Sequence, residues 1–333
     1  MLTTEEAKAR LAQIPDLAVS THTPLSGHTR FGIGGPADLF AETSSAEAFI
    51  QAQAIARASG LATVVIGGGT NLVVSDEGFR GIVLRFRASR LLAANCRVIA
   101  DAGADLQALI DFAISHGLKG LETLAGIPGS VGAAVYGNAG AYGHSISERV
   151  VKVRFFDGEQ VRVFSQRECD FRYRESVFKL HKEWIIFSVE LLLKPADAAE
   201  LRRIADDIMR VRNEKFPVTM KCAGSIFKNL LLNELPASVA AQAPDSVVRE
   251  GKVPAAYFLE QAGAKGLQRG DIHVAAYHAN LIYNGGVGTA ADLRALIEEL
   301  KLRVFNRFGI ELEEEVQYVG FAPETVAAQK WNT

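Results

Sequence analysis

The chain has 333 residues, 48% of them hydrophobic, and this length predicts two or three domains with substantial cores. Its formal net charge of −2 gives no electrostatic reason to expect a nucleic acid or an anionic membrane as partner. Three widely spaced cysteines argue against a disulfide framework or a zinc site, and no apolar run is long enough to span a membrane. The N-terminus does not resemble a signal sequence, so we expect a reduced, cytosolic, globular protein.

The first part of the chain predicts a β-α-β unit over about residues 20–86, because strand and helix patterns alternate there. The predicted elements are a helix over residues 3–14 capped by Thr3 or Thr4, a loop through Pro24, a strand with a glycine turn over 31–43, a helix over 45–60, and strands at Thr63–Ile66, Leu72–Val74 and Gly81–Phe86.

The strand–helix–glycine-loop order then begins again, and a third unit follows it. The predicted elements are a strand over 97–104, a helix over 105–117, a glycine- and alanine-rich loop over 125–143, a hairpin turning at Asp157-Gly158, a strand at Ile185–Lys194, a helix over 197–216, a helix at Pro254–Ala262, a strand at Ala279–Asn284, a helix at Ala290–Phe308, and a terminal strand over 309–321 that returns to the first unit.

Two glycine loops, residues 67–71 and 125–143, are the first candidates for a binding site. Each follows a strand–helix pattern, and glycine-rich backbone can direct several N–H groups at a phosphate. Neither is a Walker loop or a G-x-G-x-x-G opening a helix, and a plain turn explains the first loop equally well. Together they match one long ligand with a central pyrophosphate, which suggests a flavin or nicotinamide dinucleotide.

Three further segments carry residues that suit chemistry, although each has a structural interpretation. In CDFRYRESVFK, the local pattern favours a strand with a solvated basic face, whereas Arg174 could also bind a carboxylate. In AGSIFKN, Ser225 has two interpretations, a serine that caps backbone groups in a turn and a proton donor to a strongly basic carbanion. In ELEEEVQ, strand alternation puts Glu311, Glu313 and Glu315 on one face, either as a solvated edge or beside a reacting centre. The histidines show no metal-ligand spacing, so no metal is expected.

Taken together, these segments resemble the UDP-N-acetylenolpyruvoylglucosamine reductase family over about residues 21–321. The segments that carry the resemblance, in chain order, are TRFGIGGPADLF, VIGGGTNLVVSDEGFRGIVL, GLETLAGIPGSVGAAVYGNAGAYG, FRYRESVFK, AGSIFKN and ELEEEVQYVG. Several blocks in the expected order are more specific than any one of them.

The resemblance implies an α+β protein with a two-subdomain FAD-binding fold of the vanillyl-alcohol-oxidase type and a C-terminal α/β substrate domain. The implied division is residues 1–86 with 309–333, residues 87–212, and a UDP-sugar domain over residues 213–308. It also implies NADPH-dependent, FAD-mediated reduction of UDP-N-acetylglucosamine enolpyruvate to UDP-N-acetylmuramate in peptidoglycan precursor synthesis. FAD would be bound non-covalently, and no protein partner is implied.

Site residues are carried over from the family residue by residue. Ser225 would protonate the substrate carbon after hydride addition, while Arg174 and Glu315 would stabilise the enolate-like intermediate. Lys215 and Asn229 would contact the nucleotide-sugar. The implied FAD contacts are Gly67, Gly68, Gly69, Thr70, Asn71, Gly126, Ile127, Pro128, Gly129, Ser130, Gly132, Asn138, Ala139 and Gly140.

Some family members carry an insertion with a tyrosine that covers the substrate, but here the strand ending at Lys194 passes almost directly into the next helix. This chain therefore resembles the branch without that loop. Cys222, His278 and residues 322–333 receive no role. Two alternatives remain, a different flavin oxidoreductase on the same scaffold and a flavin- or nucleotide-sugar-binding regulator without turnover.

Overall fold

The computed structural model describes residues 2–322, in which helices and strands are mixed along the chain. The α-helices in this range are α1 (Thr4–Leu11), α2 (Ala46–Ser59), α3 (Leu106–Ser115), α4 (Val131–Tyr136), α5 (Val177–Leu180), α6 (Ala198–Lys215), α7 (Ala237–Ala240), α8 (Ala255–Gln261) and α9 (Ala290–Phe308). The strands are β1 (Ala18–Pro24), β2 (Pro36–Thr43), β3 (Thr63–Ile66), β4 (Leu72–Val74), β5 (Phe79–Phe86), β6 (Leu91–Ala94), β7 (Arg97–Asp101), β8 (Leu118–Lys119), β9 (Gly140–Ala141), β10 (His144–Ser145), β11 (Val150–Phe156), β12 (Val161–Ser165), β13 (Ile185–Leu192), β14 (Lys194–Pro195), β15 (Lys221–Ser225), β16 (Leu230–Leu231), β17 (Lys252–Val253), β18 (Gln268–Arg269), β19 (Ile272–Val274), β20 (Leu281–Asn284) and β21 (Gln317–Val319).

The N-terminal sheet has the order β1-β2-β5-β3, with β1 antiparallel to β2 and the other pairs parallel. The predicted strands β3 and β4 are confirmed, as is the helix between β2 and β3, which begins after its cap Ser45 and ends at Gly60 in the left-handed region. The predicted loop through Pro24 is wrong. Residues 18–24 form an edge strand whose positions alternate between exposed and half-buried. Because neither face of this strand is fully buried, its polar sequence lacks the hydrophobic alternation by which a strand is predicted.

A five-stranded antiparallel sheet, β12-β11-β13-β7-β6, forms the middle of the chain and confirms the hairpin at Asp157-Gly158. Its inner face packs on α3 and α4 through fully buried side chains such as Leu109, Phe155 and Val189. The predicted loop over residues 125–143 in fact contains α4. The Ser130 hydroxyl caps this short helix by accepting a hydrogen bond from the backbone N–H of Ala133.

The C-terminal sheet, β15-β20-β19-β18, is antiparallel and packs against α8 and α9. Helix α9 has the predicted bounds because Thr289 caps its start and Gly309, with φ of 68°, ends it. The predicted strand near residue 279 begins at Leu281. The same apolar cluster includes Phe31 and Val73, so the C-terminal sheet packs against the N-terminal part of the chain.

The terminal segment returns to the first unit, as predicted, but its strand is short. Only β21 is a strand, and it pairs in parallel with β4. Residues before it are extended and meet the C-terminal sheet through an isolated bridge between Phe227 and Glu314. The three-part domain division stays a prediction. Its border at residues 212/213 falls inside α6, and residues 323–333 lie outside the described residues. No helix within residues 2–322 is long and apolar enough to cross a membrane.

Candidate active site

The two predicted glycine loops lie directly against each other. The hydroxyl of Thr70 donates a 3.3 Å hydrogen bond to the carbonyl of Pro128. A Cβ added at Gly68 would lie 3.5 Å from the Cα of Gly129, and one added at Gly67 would lie 3.0 Å from Oγ of Ser130. Because side chains are absent on both sides, the two backbones run together as one surface.

This surface carries unused backbone donors. Within residues 2–322, the N–H groups of Gly68, Gly69, Thr70, Gly129 and Ser130 make no hydrogen bond. Unpaired backbone N–H groups that converge from two loops suit phosphate oxygens, which carry negative charge and accept several hydrogen bonds. The seam between the loops therefore fits the pyrophosphate of a dinucleotide such as FAD.

Three predicted cofactor residues of the second loop have backbone donors that the protein itself uses. Gly126 donates to the side chain of Gln107, Ile127 donates to Leu124, and Gly132 donates to the carbonyl of Ala102. Gly132 also allows close packing, because an added Cβ would lie 2.8 Å from the Cβ of Ala102. These residues shape the second loop through contacts within the chain.

Asn138, Ala139 and Gly140 form a turn that reaches towards the predicted catalytic segment. Asn138 has a positive φ of 43° and is buried, and its side-chain amide donates a 2.8 Å hydrogen bond to the carbonyl of Arg172. Ala139 bonds within the chain through Ala134, and Gly140 pairs with Ser145. The second loop is thus tied to the segment that carries Arg174.

The predicted catalytic serine lies at the end of strand β15. The preceding Gly224 has φ of +77° and the register is irregular between Cys222 and Ser225, so a bulge precedes Ser225, which itself pairs with Leu281 in the strand. The local interpretation of Ser225 as a plain turn residue is therefore wrong. Immediately after it, Ile226 accepts a 2.7 Å hydrogen bond from the backbone N–H of Glu315. The serine segment and the glutamate segment are neighbours.

Side chains of the terminal segment alternate as predicted, although the residues do not form a regular strand. Glu313 meets Lys228 and Glu315 meets Arg174, whereas Glu314 points the other way and meets Lys301. The interpretation of this charge run as a solvated edge is therefore wrong for Glu314 and Glu315, which are largely buried, whereas it holds for the exposed Glu313.

Arg174 does not lie on a strand, contrary to the local interpretation. Arg172 and Glu175 exchange backbone hydrogen bonds of 3.1 Å across a turn, and Arg174 within it has φ of +58°. Its Nε lies 2.8 Å from Oε1 of Glu315. Yet the buried Nε–H makes no hydrogen bond within residues 2–322, so this contact is an ion pair without hydrogen-bond alignment. The turn aims a guanidinium at the segment beside Ser225.

Asn71 joins the glycine loops to this catalytic cluster. Its side-chain amide donates a 2.8 Å hydrogen bond to the carbonyl of Glu315, and its own carbonyl accepts a 2.9 Å bond from Gln317. The sequence predicted Asn71 as a cofactor contact and missed this link. The link depends on two residues 244 positions apart, and nothing in the local sequence signals it.

A cavity of about 530 Å³ opens beside the cluster. Its wall includes the predicted residues Asn138, Gly140, Arg174 and Asn229, together with residues that sequence reasoning missed. The missed residues are Ala141, Tyr142, Gly143, His144, Ser145, Tyr173, Arg249, Glu250 and Lys252.

Tyr173 organises one side of this cavity. Its hydroxyl accepts a 3.3 Å hydrogen bond from the backbone N–H of Asn229. The Lys252 ammonium lies 4.9 Å from its ring centroid, and the Arg174 guanidinium lies 5.3 Å from it. The aromatic ring thus holds two cations at the edge of a cavity suited to an anionic ligand. Tyr173 lies between Arg172 and Arg174 in the segment CDFRYRESVFK. This position between two arginines was the sequence signal that could have identified it as a site residue.

Lys215 does not line this cavity in the described chain and lies at the end of helix α6. Burial lowers the pKa of Lys215, and the charge of Arg212 lowers it further. Burial also lowers the pKa of Arg212, whose Nε donates a 2.9 Å hydrogen bond to the carbonyl of Gly126. This pair forms a separate cationic site on the side of the second glycine loop. Within residues 2–322 no group of three His, Cys, Asp or Glu side chains could hold a metal ion.

Comparison with known proteins gives family matches over two ranges of the chain. Residues 37–163 match a family model described as an FAD binding domain, and residues 216–319 match the C-terminal domain of UDP-N-acetylenolpyruvoylglucosamine reductase. A UDP-N-acetylenolpyruvoylglucosamine reductase of Solibacter usitatus is 69% identical over 93% of this chain and 100% of its own length. The chain belongs to this reductase family.

More distant reductases agree with this assignment. The one of Syntrophus aciditrophicus is 35% identical over 94% of this chain and 96% of its own length. The crystal structure of the reductase from Thermus caldophilus superposes with a TM-score of 0.70 at 29% identity, covering 91% of this chain and 99% of its own. The family assignment, the FAD cofactor and the α+β fold with a vanillyl-alcohol-oxidase-type FAD-binding region are thus confirmed.

Proposed function

We propose that this protein reduces UDP-N-acetylglucosamine enolpyruvate to UDP-N-acetylmuramate, with NADPH as the reductant, in cytoplasmic peptidoglycan precursor synthesis. The observation that carries the proposal is the meeting of three distant segments beside the glycine loops. Arg174 contacts Glu315, whose backbone bonds to the residue after Ser225 and to Asn71 of the first loop.

The unpaired backbone N–H groups of residues 68–70, Gly129 and Ser130 would hold FAD at the seam between the glycine loops, where it would supply hydride transfer from NADPH to the vinyl carbon of the substrate. The chain itself supplies backbone donors for the pyrophosphate. Gly129 and Ser130 belong to these donors, whereas Gly126, Ile127 and Gly132 act by holding the second loop in shape.

Ser225 donates the proton that completes the reduction. A serine hydroxyl is a weak acid, so it can act only on a strongly basic acceptor, and the α-carbon beside the substrate carboxylate becomes one after hydride addition. The position of Ser225 supports this role, because the next residue, Ile226, accepts a hydrogen bond from the backbone N–H of Glu315 and so places Ser225 beside the segment that carries Glu315.

Arg174 binds the substrate carboxylate and stabilises negative charge as it spreads onto that group. Glu315 holds the guanidinium in place through the 2.8 Å ion pair. Because the Nε–H of Arg174 is buried without a hydrogen bond in the described chain, a substrate oxygen could satisfy it.

The nucleotide-sugar lies in the neighbouring cavity and contacts Asn229, and the predicted contact with Lys215 requires the ligand to extend beyond this cavity to the end of α6. The cationic rim of the cavity, with Arg249 and Lys252, suits its diphosphate. We assign this role to residues 213–308 and the FAD-binding role to residues 1–86 with 309–333 and to residues 87–212.

An anaerobic stopped-flow experiment tests the proposal. The purified protein is reduced with NADPH, UDP-N-acetylglucosamine enolpyruvate is added, and the flavin absorbance is followed. We expect rapid return of the oxidised spectrum without oxygen, and acid precipitation should release the flavin. Bleaching that only oxygen reverses would indicate another flavin oxidoreductase. A flavin that NADPH cannot bleach would indicate a binding protein without turnover.

A further inference from the structure

A network of four charged side chains lies behind the catalytic cluster. The ammonium of Lys228 contacts Oε1 of Glu175 at 2.6 Å and also contacts the carboxylate of Glu313. The ammonium of Lys179 lies 3.3 Å from the same Glu175 oxygen and donates a 2.6 Å hydrogen bond to the carbonyl of Arg174. The side chain of Lys228 is only 9% exposed, so the centre of the network is buried in the protein.

Each member of the network is close in sequence to one catalytic residue. Glu175 follows Arg174 directly, Glu313 precedes Glu315 by two positions, and Lys228 follows Ser225 by three. The backbone of Lys228 also bonds to the carbonyl of Glu313 at 2.9 Å. One ammonium therefore joins the three chain segments on which Arg174, Ser225 and Glu315 lie.

The contacts between Lys228 and Glu175 favour the charged forms of both side chains. Burial alone would lower the pKa of Lys228, but hydrogen bonds to Glu175 and Glu313 outweigh this and raise it. Burial would raise the pKa of Glu175, but the hydrogen bond to Lys228 and the charge of Lys179 outweigh burial and lower it. Two cations and two anions cancel, so the network adds little net field and acts by fixing geometry.

The geometry that most needs fixing is that of Arg174. A non-glycine residue with φ of +58° is in a sparsely populated region that costs free energy unless the surroundings hold it. Lys179 holds its carbonyl and Glu175 is anchored to Lys228, so both ends of the turn are restrained. Without Lys228, the turn and the Glu315 segment lose their shared anchor.

We propose that Lys228 is a positioning residue that, through Glu175 and Glu313, sets the placement of Arg174 on Glu315 and of both beside Ser225. Only the kinetic consequence of this proposal rests on the proposed function. Lys228 does not line the cavity described above, and its ammonium is occupied by two carboxylates.

The decisive variant is Lys228→Met, which keeps the length of the side chain and removes its charge. It is expected to fold, because Glu175 retains Lys179 and the Glu313 side chain is 71% exposed. The matched control is Lys301→Met. Lys301 contacts Glu314 at 2.9 Å, so this variant removes a part-buried ion pair to the same segment on its opposite face. Lys228→Arg tests rescue by a retained charge.

The first readout is the pair of flavin half-reactions. We expect Lys228→Met to slow reoxidation by the enolpyruvyl substrate by about 10- to 100-fold, the range that small misplacements of catalytic groups produce. Reduction by NADPH should change less than about twofold, Lys228→Arg should recover part of the loss, and Lys301→Met should leave both half-reactions intact. Equal slowing in Lys228→Met and Lys301→Met, or unchanged reoxidation in Lys228→Met, overturns the proposal.

The second readout needs no turnover. In the holoprotein with ¹⁵N-labelled arginine, the Nε–H resonance of Arg174, assigned with Arg174→Lys, reports its placement on Glu315. It should shift or broaden in Lys228→Met and remain unchanged in Lys301→Met. If the wild-type protein is not reoxidised by the enolpyruvyl substrate, the proposed function fails while this readout still decides the positioning role. An unaltered resonance in Lys228→Met overturns that role.

Discussion

The seam of glycine loops and the catalytic cluster lie side by side but are held by different kinds of contact. The seam is backbone against backbone, with Gly68 and Gly129 packed without side chains between them. The cluster is built from side chains, with Arg174, Glu315 and Lys228 drawn together from distant segments. We therefore expect the seam to be sensitive to substitutions that add side-chain volume and insensitive to substitutions that change charge. We expect the cluster to be sensitive to changes of charge and less sensitive to added volume.

The largest effect is expected from Gly69→Ala in the first loop. Gly69 has φ of +66°, and an added Cβ would lie 1.8 Å from the carbonyl oxygen of His28, so the loop must move. We expect loss of most bound FAD and a clearly lower melting temperature, measured by the ratio of flavin to protein absorbance and by thermal unfolding.

Gly27→Ala is the matched control, because a Cβ there meets nothing within 4 Å and the residue is not in the left-handed region. It should retain FAD like the wild type. Full FAD content in Gly69→Ala would show that the seam does not hold the cofactor as described.

The next largest effect is expected from Arg174→Lys, which keeps the charge and removes the planar guanidinium. Reoxidation of the flavin by the enolpyruvyl substrate should fall on the order of 10²-fold, as for loss of one donor to developing charge. Stopped-flow absorbance measures it, and FAD content should not change.

Arg172→Lys is the control for that substitution. Arg172 lies in the same turn, its side chain is 70% exposed, and it pairs with Asp170 at the surface. It should react within about twofold of the wild-type rate. If both lysine variants lose activity equally, the turn as a whole matters and the specific role of Arg174 is wrong.

Asn71→Ala tests the contact between the two regions. Losing its 2.8 Å hydrogen bond to the Glu315 carbonyl should cost about 1 kcal/mol, which corresponds to roughly a fivefold effect. Because Asn71 belongs to both regions, FAD affinity and substrate-driven reoxidation should both weaken, as measured by flavin titration and stopped-flow. An effect on only one of them would show that the regions are independent.

The smallest effect concerns acid stability, which should arise from the C-terminal part of the chain. Burial and then the charge of Lys215 lower the pKa of His278 to about 4, so the folded protein keeps this ring neutral. The unfolded ring titrates near 6.5. The stability contribution is therefore present above pH 6.5 and is lost as the pH falls towards 4.

Urea unfolding at pH 7 and pH 5 measures this contribution. His278→Gln should reduce the pH-dependent loss by about 1 kcal/mol, a figure that allows for the partial exposure of the ring. An identical loss in wild type and variant would show that another group is responsible.

These two regions also differ in how far the sequence could predict them. Local signals identified the glycine loops and located β3, β4 and α9, because caps and β-branched runs act within a few residues. Local pattern misread Arg174 as a strand residue, because its turn depends on Lys179 and on a partner near residue 315. Only the resemblance of several blocks to a known family named the catalytic residues.

The polar edge strand Ala18–Pro24 was missed for the same reason, since only its pairing with β2 makes it a strand. The terminal segment was predicted as one long strand, yet pairing with β4 begins only at Gln317. The alternation of Glu313, Glu314 and Glu315 was read correctly because it follows from extended backbone, whether or not a ladder forms.

The central claim is that the catalytic cluster acts on the substrate and not on the nicotinamide, and Ser225→Ala tests it most directly. Both half-reactions are followed anaerobically by stopped-flow in wild type and variant. The account predicts flavin reduction by NADPH within about twofold of wild type and reoxidation slowed on the order of 10²- to 10⁴-fold, the range for loss of a general acid. Equal slowing of both half-reactions would contradict it.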